Sequence, residues 1–443
     1  MQLRNHVSLL IWTVGDKLLF LGYGVITWIQ IRALPPEEYA LAAQLLTLQA
    51  WIAIVAEGSF LQGIIQYGHD HRHREHANFL AAILHTAFTL GVALIIAGFG
   101  LPLAALFNEA RFHDVALLLP LYCALGIPRS YALKLLQREL RVRHVFTTNA
   151  AWLGTSALLT IIFLARGTLR TFEDMVLIAC SGMTAGSIVA LALGRDLLRW
   201  SPHGTLSYRA VLRFTMPQTI MMALATSIRQ LDVFLVQLFF STRAAGVYTA
   251  AKMLYRVFET GADATVWLMY PAAVRLLAQE RRDSLRQLIA KAFVVQLIIA
   301  ATAVCALEFG GTALIVRFFG NRYSETAVIF NIMAIGALFL PLAMLQSVIL
   351  ALHRVDRLLL IISTSVFAAC AVYVTVGILD IFWLMGSGVV VFAAVSAVLM
   401  GWTLSQEGLF HIRDIPPAFN DIRTRLGVSL KQWKQHLVTR SDL

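Results

Sequence analysis

The chain has 443 residues, of which 58% are hydrophobic and only 14% are charged, and its mean hydropathy is +0.72. A soluble protein of this length could not cover its surface with so few charges, so the composition excludes a water-soluble globular fold. The net charge is +11, which basic cytoplasmic loops explain without a nucleic-acid partner. The four cysteines lie in apolar stretches without metal-ligand spacing. We therefore expect no disulfide framework, no metal site and no cofactor.

Apolar runs of about 20 residues predict twelve transmembrane helices. They cover residues 8–32, 39–67, 78–106, 115–136, 146–165, 175–194, 214–240, 245–274, 291–318, 326–350, 357–378 and 381–405. The longest internal connection, residues 195–213, follows the sixth span. We predict an all-α integral membrane protein with an N-terminal lobe of spans 1–6 (residues 1–194) and a C-terminal lobe of spans 7–12 (residues 214–405). A cytoplasmic linker at 195–213 would join the two lobes.

Basic residues are distributed unevenly over the predicted loops, and this distribution sets the orientation in the membrane. With the N-terminus inside, the inner segments contain 24 lysines and arginines and the outer loops contain 7. Because the bias never reverses along the chain, we predict that both termini are cytoplasmic. In the tail, residues 406–443, apolar residues recur at helical spacing with basic residues between them. This pattern predicts an amphipathic helix on the inner leaflet, with docking to a partner as the alternative.

Eleven charged side chains lie inside the predicted spans. They are Asp16, Lys17, Glu57, Arg129, Arg229, Asp232, Lys252, Arg256, Glu259, Asp263 and Glu308. A charge at the bilayer centre costs about 2.5–3.5 kcal/mol, so eleven charges facing lipid would cost on the order of 30 kcal/mol. These residues must therefore face one another or a water-filled cavity. Since a charged, solvated interior is typical of proteins that move polar cargo, we interpret the chain as a transporter.

Span 8 carries the most concentrated polar pattern, because its polar residues recur at steps of three and four and form one stripe along a helix. The stripe consists of Tyr248, Lys252, Tyr255, Arg256, Glu259 and Asp263. Lys252 and Arg256 are like charges one turn apart, and an anionic ligand would relieve their repulsion. The functional interpretation is a cavity-facing stripe that touches the substrate. The alternative is a structural ladder of salt bridges.

Spans 1 and 7 each contain two opposite charges, Asp16 with Lys17 and Arg229 with Asp232. The two spans occupy equivalent places in the lobes, and a similar helix start follows each of them, which is typical of a parallel repeat. We expect these four residues to line a common cavity, with internal ion pairing as the alternative. In span 2, the buried carboxylate of Glu57 could take up a proton and couple transport to it, or it could pair with Lys17.

Histidines, prolines and the lack of a nucleotide-binding loop add three further expectations. The histidine-rich run at residues 69–76 is expected to be a solvated cytoplasmic loop rather than a metal site. Prolines inside spans 4, 7, 8 and 10 predict kinks, which either bend during transport or are fixed features of the helices. No GxxxxGK[ST] sequence occurs in the chain, so we expect no ATP-driven step.

Two stretches resemble a known family. The first reads RALPPEEY at residues 32–39, EGSF at 57–60 and IQ at 65–66, and the second reads LDVFLV at 231–236, AGVYTAAK at 245–252 and YP at 270–271. Both are similar to the polysaccharide transporter family, the Wzx-type flippases for lipid-linked oligosaccharides in the MOP superfamily. The resemblance in topology and length covers nearly the whole chain. It implies a MOP/MATE-like fold with two lobes around a central cavity that opens alternately to each side of a bacterial inner membrane.

The resemblance also implies a function without enzymatic activity. The cargo would be an undecaprenyl-pyrophosphate-linked oligosaccharide, such as the O-antigen unit of lipopolysaccharide, moved from the inner to the outer leaflet. The partners would be this substrate, the membrane, and the polysaccharide polymerase and chain-length machinery. The candidate substrate-binding residues are Lys17, Arg229, Lys252 and Arg256. The residues assigned to coupling or charge pairing are Asp16, Glu57, Asp232, Glu259 and Asp263.

Other classes of protein share some of these features. A cation-coupled multidrug exporter of the same superfamily has the same architecture, but the two stretches above favour the flippase. A membrane-embedded polysaccharide polymerase or acyltransferase is the alternative of another class, and polymerases of this kind usually carry a large outer loop, which we do not find. A facilitator-superfamily sugar carrier would carry a Gly/Asp/Arg pattern between spans 2 and 3, where this chain reads YGHDHR.

Overall fold

The computed structural model describes residues 3–67, 74–204 and 208–424, and this part of the chain is helical, with no β-strand. Its helices are α1 (Leu3–Ala33), α2 (Pro36–Ala56), α3 (Gln62–Tyr67), α4 (Arg74–Gly98), α5 (Gly100–Leu106), α6 (Phe112–Arg138), α7 (Val142–Ala165), α8 (Phe172–Gly194), α9 (Tyr208–Gln230), α10 (Asp232–Phe239), α11 (Thr242–Ala278), α12 (Arg282–Phe319), α13 (Ser324–Ala337), α14 (Leu345–Ala351), α15 (Val355–Ile378) and α16 (Ser387–Gln406). A π-helical turn, Glu57–Leu61, separates α2 from α3.

Each predicted span coincides with one helix or with consecutive helices. Within the described ranges, eight helices are long and apolar enough to cross a membrane. A ninth is added if the bent pair Asn321–Ala337 and Leu340–Ala351 forms one broken span. Predicted spans 1, 7 and 8 coincide with α1, α9–α10 and α11, which carry most of the intramembrane charges. The prediction of an all-α, multi-pass membrane protein is confirmed. Because α9 begins at Tyr208, the end of the predicted linker is already helical.

Contacts divide the chain into two compact units. Unit 1 contains Met1–Ala250, Val316–Ser324 and Gly377–Phe382, and unit 2 contains Ala251–Ile315, Glu325–Val376 and Trp383–Leu443. Unit 1 therefore includes α9, α10 and the start of α11 together with the first six spans. The two units are defined by contacts between residues. The lobes at 1–194 and 214–405 are defined by the order of the predicted spans, and they stay a prediction.

Small residues allow three helices of unit 1 to pack closely. Helix α8 packs against α6 and α7, and it presents Gly182 and Gly186 one turn apart. A Cβ atom on Gly182 would lie 2.0 Å from Ser156 Oγ, and one on Gly186 would lie 2.8 Å from Trp152 Cβ. Only glycine fits at these two positions. The Gly-x-x-x-Gly spacing brings the helix backbones together, as it does in other membrane proteins.

A cross-helix hydrogen bond supports the second proline of α6. Pro120 and Pro128 both lie inside this helix, and a proline deprives the preceding turn of one amide donor. The Ser187 hydroxyl of α8 donates to the carbonyl oxygen of Leu125, in that preceding turn, at 2.5 Å. The turn before Pro128 is therefore tied to α8, which favours the interpretation of this proline as a fixed feature.

The beginning of the predicted tail is anchored in unit 2. Arg286 of α12 donates to both carboxylate oxygens of Asp414 at 2.6 and 2.5 Å, and Lys291 Nζ lies 2.5 Å from Asp421 Oδ2. Its hydrogen bond from Arg286 holds the pKa of Asp414 below the ordinary value. The pairing is therefore lost only when the pH falls through that lowered pKa. The rest of the predicted tail helix, residues 425–443, lies outside the described residues, as do residues 69–73 of the histidine-rich run.

The Gly182→Ala substitution should lower the thermal stability of the protein in detergent. Its new Cβ atom would meet Ser156 Oγ and, at 2.9 Å, the backbone oxygen of Trp152. Overpacking of this kind costs about 1–3 kcal/mol and offsets the helix-propensity gain of about 1 kcal/mol. Gly154→Ala on exposed α7 surface is the matched control, because nothing lies within 4 Å of its Cβ position. Equal unfolding midpoints for the two variants would contradict the packing described here.

Candidate functional site

A chain of hydrogen bonds inside the predicted membrane region links three helices of unit 1. Asn149 of α7 donates through Nδ2 to Asp16 Oδ1 of α1 at 2.7 Å. It accepts through Oδ1 a hydrogen bond from Arg129 Nη2 of α6 at 2.6 Å. Asn149 is only 5% exposed, so the amide joins a cation and an anion away from water. This arrangement is less costly than burying either charge without a partner.

Packing supplies the rest of the environment of Arg129. Its Cζ atom lies 4.0 Å from the centroid of the Trp152 ring, a cation–π contact. Gly186 of α8 leaves the necessary space, because a Cβ atom there would lie 3.1 Å from Arg129 Cδ. The Nε atom of Arg129 is buried and has no hydrogen-bond partner among the described residues. The guanidinium is therefore held by one amide, one aromatic ring and the nearby carboxylates.

Glu57 is the first residue of the π-helical turn that interrupts span 2, and such turns are frequent at functional sites. Ser130, the neighbour of Arg129 on α6, donates to Glu57 Oε1 at 2.5 Å. Within the described part of the chain this hydroxyl, and not Lys17, is the hydrogen-bond partner of the carboxylate. The turn packs against α4, α6 and α9. Glu57 thus lies where four predicted spans meet.

Asp232 is fixed at the break between α9 and α10. The Tyr248 hydroxyl donates to Asp232 Oδ2 at 2.6 Å, and the Val233 amide donates to Oδ1 at 2.9 Å. The residue is 1% exposed and begins α10, where the helix dipole favours a negative charge. Its position within the break explains why a carboxylate is tolerated inside span 7.

The basic residues predicted to bind substrate differ in accessibility. In unit 1, the side chains of Lys17 on α1 and Arg229 on α9 are exposed. In unit 2, Lys252 is 8% exposed, whereas Arg256, one turn further along α11, is exposed. The side chain of Glu308 lies outside the part of the chain that the structure describes. Three of the four predicted substrate-binding residues are therefore accessible.

The polar stripe of span 8 lies on the single long helix α11, but its members are not equally accessible. Tyr255 is buried and Lys252 nearly so, whereas Glu259 and Asp263 are half-buried. The start of the stripe is therefore part of the protein interior. Its later residues and Arg256 are the ones that solvent or a ligand can reach.

Sequence reasoning missed the residues that hold the charges of unit 1. It identified Arg129 as an intramembrane charge but did not place it among the site residues, and it did not single out Asn149, Ser130 or Trp152. A signal was available, because Asn149 is a polar residue inside span 5 and Arg129 follows a proline in span 4. Neither position reveals its partner, since the contacts join helices that are distant in sequence.

The Asn149→Ala substitution should destabilise the protein strongly. It leaves Arg129 and Asp16 without their shared partner, and each hydrogen bond to a charged group contributes about 1.5–3 kcal/mol. Thr147→Ala is the matched control, because this exposed threonine on the same helix only donates to the carbonyl of Arg143. Thermal unfolding in detergent compares the two variants. Similar unfolding midpoints would show that the Asn149 chain contributes no more than a surface hydrogen bond.

Comparison with known proteins adds to this geometry. Residues 3–263, more than half of the chain, match the family described as polysaccharide biosynthesis protein. No curated protein matches the sequence.

Three solved structures of transporters have a similar fold. The fold is similar to that of the lipid II flippase MurJ in an inward closed conformation, with a TM-score of 0.73, 10% identity, and coverage of 94% of this chain and 92% of that chain. It is similar to an inward-facing MATE multidrug resistance transporter of the MOP superfamily (TM-score 0.72, 12% identity, coverage 87% and 94%). It is also similar to a MOP transporter from Pyrococcus furiosus (TM-score 0.57, 13% identity, coverage 89% and 93%). The chain thus has a MOP-type fold, and it belongs to the polysaccharide biosynthesis protein family.

Proposed function

We propose that this protein is a flippase for undecaprenyl-pyrophosphate-linked oligosaccharide. It would move the repeat unit of O-antigen or of another surface polysaccharide from the inner to the outer leaflet by alternating access. Membership of a polysaccharide biosynthesis family supports the class of cargo. The MOP-type fold supports transport rather than enzymatic catalysis, and one structural neighbour is itself a lipid flippase.

The observation that supports this proposal is a difference in accessibility: in the described part of the chain the acidic intramembrane side chains are buried or half-buried, whereas most of the basic ones are exposed. The acidic residues held by buried or half-buried donors are Asp16, Glu57 and Asp232. The basic residues with exposed side chains are Lys17, Arg229 and Arg256. Because a charge cannot face lipid without a large cost, we expect the exposed bases to face water, where an anion can reach them. Although acids and bases are nearly equal in number, the exposed side chains among the described intramembrane charges are therefore the basic ones.

The chemistry of these bases suits a pyrophosphate. We assign substrate binding to Lys17, Arg229, Lys252 and Arg256. An arginine fork can donate two hydrogen bonds to one phosphate, whereas a lysine acts as a point charge. We place the protein in a bacterial inner membrane with both termini cytoplasmic, as the bias of basic loop residues favours. Its partners there would be the polysaccharide polymerase and chain-length machinery.

Coupling to protons would involve the acidic residues. Asp16 accepts a hydrogen bond from the Asn149 amide, and Glu57 accepts one from the Ser130 hydroxyl. Both of these donors are neutral, so either carboxylate could take up a proton without first breaking a salt bridge to its donor. We assign Asp232, with Glu259 and Asp263, to coupling or charge pairing as well.

A cation-coupled multidrug exporter is the second candidate, because the fold matches a MATE transporter as well as it matches a flippase. An exporter would use the acidic residues to bind cationic drugs. Expression in two bacterial strains distinguishes the two functions: one strain lacks its own efflux pumps, and the other lacks its own flippase. An exporter would raise resistance to cationic dyes, whereas a flippase would restore surface polysaccharide to a strain that lacks its flippase.

The Lys252→Ala and Arg256→Ala substitutions together should abolish surface polysaccharide while the protein still inserts in the membrane. The reason is the loss of two positive charges that would balance the pyrophosphate. Arg256→Lys should retain part of the activity, because the charge remains although the fork is lost. Arg281→Ala is the control, an exposed arginine in a predicted inner loop. Normal polysaccharide in the double alanine variant would exclude the proposed role of these two residues.

The membrane potential should accelerate transport in proteoliposomes that contain the purified protein. Outward movement of about two negative charges across an inside-negative potential gains roughly 2.3 kcal/mol per charge per 100 mV. Fluorescently labelled lipid-linked oligosaccharide would report the rate with the potential on and off, at equal pH on both sides. Equal rates in the two conditions would contradict the movement of net negative charge by this protein.

A further inference from the structure

The predicted outer loops of both lobes meet within unit 1. The segment before α2 is contacted from two sides. The Tyr323 hydroxyl donates to the carbonyl oxygen of Leu34 at 3.3 Å. On the other side, a Cβ atom on Gly246 would lie 2.1 Å from the carbonyl oxygen of Pro36, so only glycine permits this approach. The outer ends of the two predicted lobes are therefore in direct contact at this segment.

A buried hydrogen-bond chain crosses the same contact. Gln44 Nε2 of α2 donates to Gln237 Oε1 of α10 at 2.5 Å, and Gln237 Nε2 donates to Thr242 Oγ1 at 3.1 Å. The Thr242 hydroxyl then donates to Glu109 Oε2 at 2.7 Å. Gln44 and Glu109 belong to the predicted N-terminal lobe, and the other two belong to the predicted C-terminal lobe. The first and the last hydrogen bond of the chain thus each join the two lobes.

This chain is polar within an otherwise apolar contact. About one helical turn from Gln44, Gln237 and Thr242, the residues Ala40, Val233 and Ala245 form an apolar cluster on which Phe234 packs. Gln44, Gln237 and Thr242 are 0%, 2% and 7% exposed, and burying an amide is costly unless it is hydrogen-bonded. All donors point in one direction along the chain, so each hydrogen bond polarises the next. The contact is stable while the chain is complete.

The same polar groups make the contact separable. Water can replace each lost partner once the contact opens, so amides and hydroxyls suit an interface that must open better than interlocked apolar side chains do. Gln44 Oε1 already has no hydrogen-bond partner in the described residues, so the closed contact is not fully satisfied. Its stability therefore depends on a small number of hydrogen bonds that a single substitution can remove.

We propose that the chain Gln44–Gln237–Thr242–Glu109 is the latch of an outer gate. It holds the outer ends of the two predicted lobes together before release of the substrate, and it breaks when the cavity opens to the outer leaflet. The direction of this cycle rests on the proposed function. The latch itself does not, because its opening can be measured without any substrate.

Thiol labelling of a buried reporter measures the opening of this gate. Ala40→Cys provides the reporter, since Ala40 is fully buried in the apolar part of the contact. The four native cysteines are replaced first. A membrane-impermeant maleimide is added from the predicted outer side to intact cells, and the labelling rate is followed. The variants compared are Gln44→Leu, Gln237→Leu, their combination, and Thr242→Val, which keeps the side-chain shape.

The single and double variants should change the labelling rate in opposite directions. Gln44→Leu, Gln237→Leu and Thr242→Val each leave a buried partner unsatisfied. Gln44→Leu removes one neutral hydrogen bond, so labelling should be about two- to twelvefold faster. Gln237→Leu and Thr242→Val each remove two hydrogen bonds of the chain, so labelling should accelerate by at least as much. The double Gln44→Leu/Gln237→Leu variant replaces both amides by apolar groups, so labelling should be slower than in the parent protein, and transport should slow with it.

A matched control distinguishes a latch from a merely structural hydrogen bond. Gln30 Nε2 of α1 donates to Thr160 Oγ1 of α7 at 2.8 Å, and both residues are buried within the predicted N-terminal lobe. Gln30→Leu and Thr160→Val should therefore lower the unfolding midpoint in detergent but leave the labelling of the reporter unchanged. Unfolding midpoints are measured for all variants, so that poor folding is not mistaken for opening.

Two results would overturn the latch. The first is a labelling rate equal to that of the parent protein in all latch variants, with the Thr242→Val variant shown to fold normally. The second is an equal increase in the Gln30→Leu control, which would make the effect general loosening. If labelling follows the predicted pattern but no lipid-linked oligosaccharide is transported, the latch stands and the proposed cargo fails.

Discussion

The cost of placing a charge in lipid governs this protein. A polytopic chain with charges in its spans is stable only if each charge finds a partner or water. The structure shows partners for several of these charges within unit 1. Asn149 joins Asp16 to Arg129, Ser130 binds Glu57, and Tyr248 binds Asp232. The intramembrane charges with exposed side chains in the described part of the chain are basic, Lys17, Arg229 and Arg256, and in the proposed function these residues would meet the anionic cargo.

Helix packing places these partners. Gly186 leaves space for both Trp152 and Arg129, so the close approach of α8 is what allows a guanidinium to stack on an indole inside the bundle. The π-helical turn in span 2 brings Glu57 to the junction of several helices. Irregular backbone is thus present at two of the charged positions, the π-helical turn at Glu57 and the helix break at Asp232, while regular helices around them provide the support. Fold and site depend on the same few contacts.

Much of the fold could be predicted from the sequence, because apolar runs and loop charges act locally. The twelve predicted spans coincide with helices, and the intramembrane charges were identified as such. The hydrogen-bond partners of the intramembrane charges could not be predicted. The interruption at Glu57 leaves no mark in an apolar run, and the link of Asn149 to Arg129 and Asp16 joins three helices that are far apart in sequence. The uneven burial of the stripe from Lys252 to Asp263 likewise depends on tertiary packing rather than on helical spacing.

The most direct test of the account is the charge preference of ligand binding. Purified protein in nanodiscs would be titrated with undecaprenyl pyrophosphate, with the uncharged undecaprenol, and with a cationic dye, at low and at high salt. The account predicts that the pyrophosphate binds more tightly than the alcohol and that added salt weakens this preference, because screening acts on the accessible bases. Equal binding of the pyrophosphate and the alcohol, or tighter binding of the cationic dye, would contradict it.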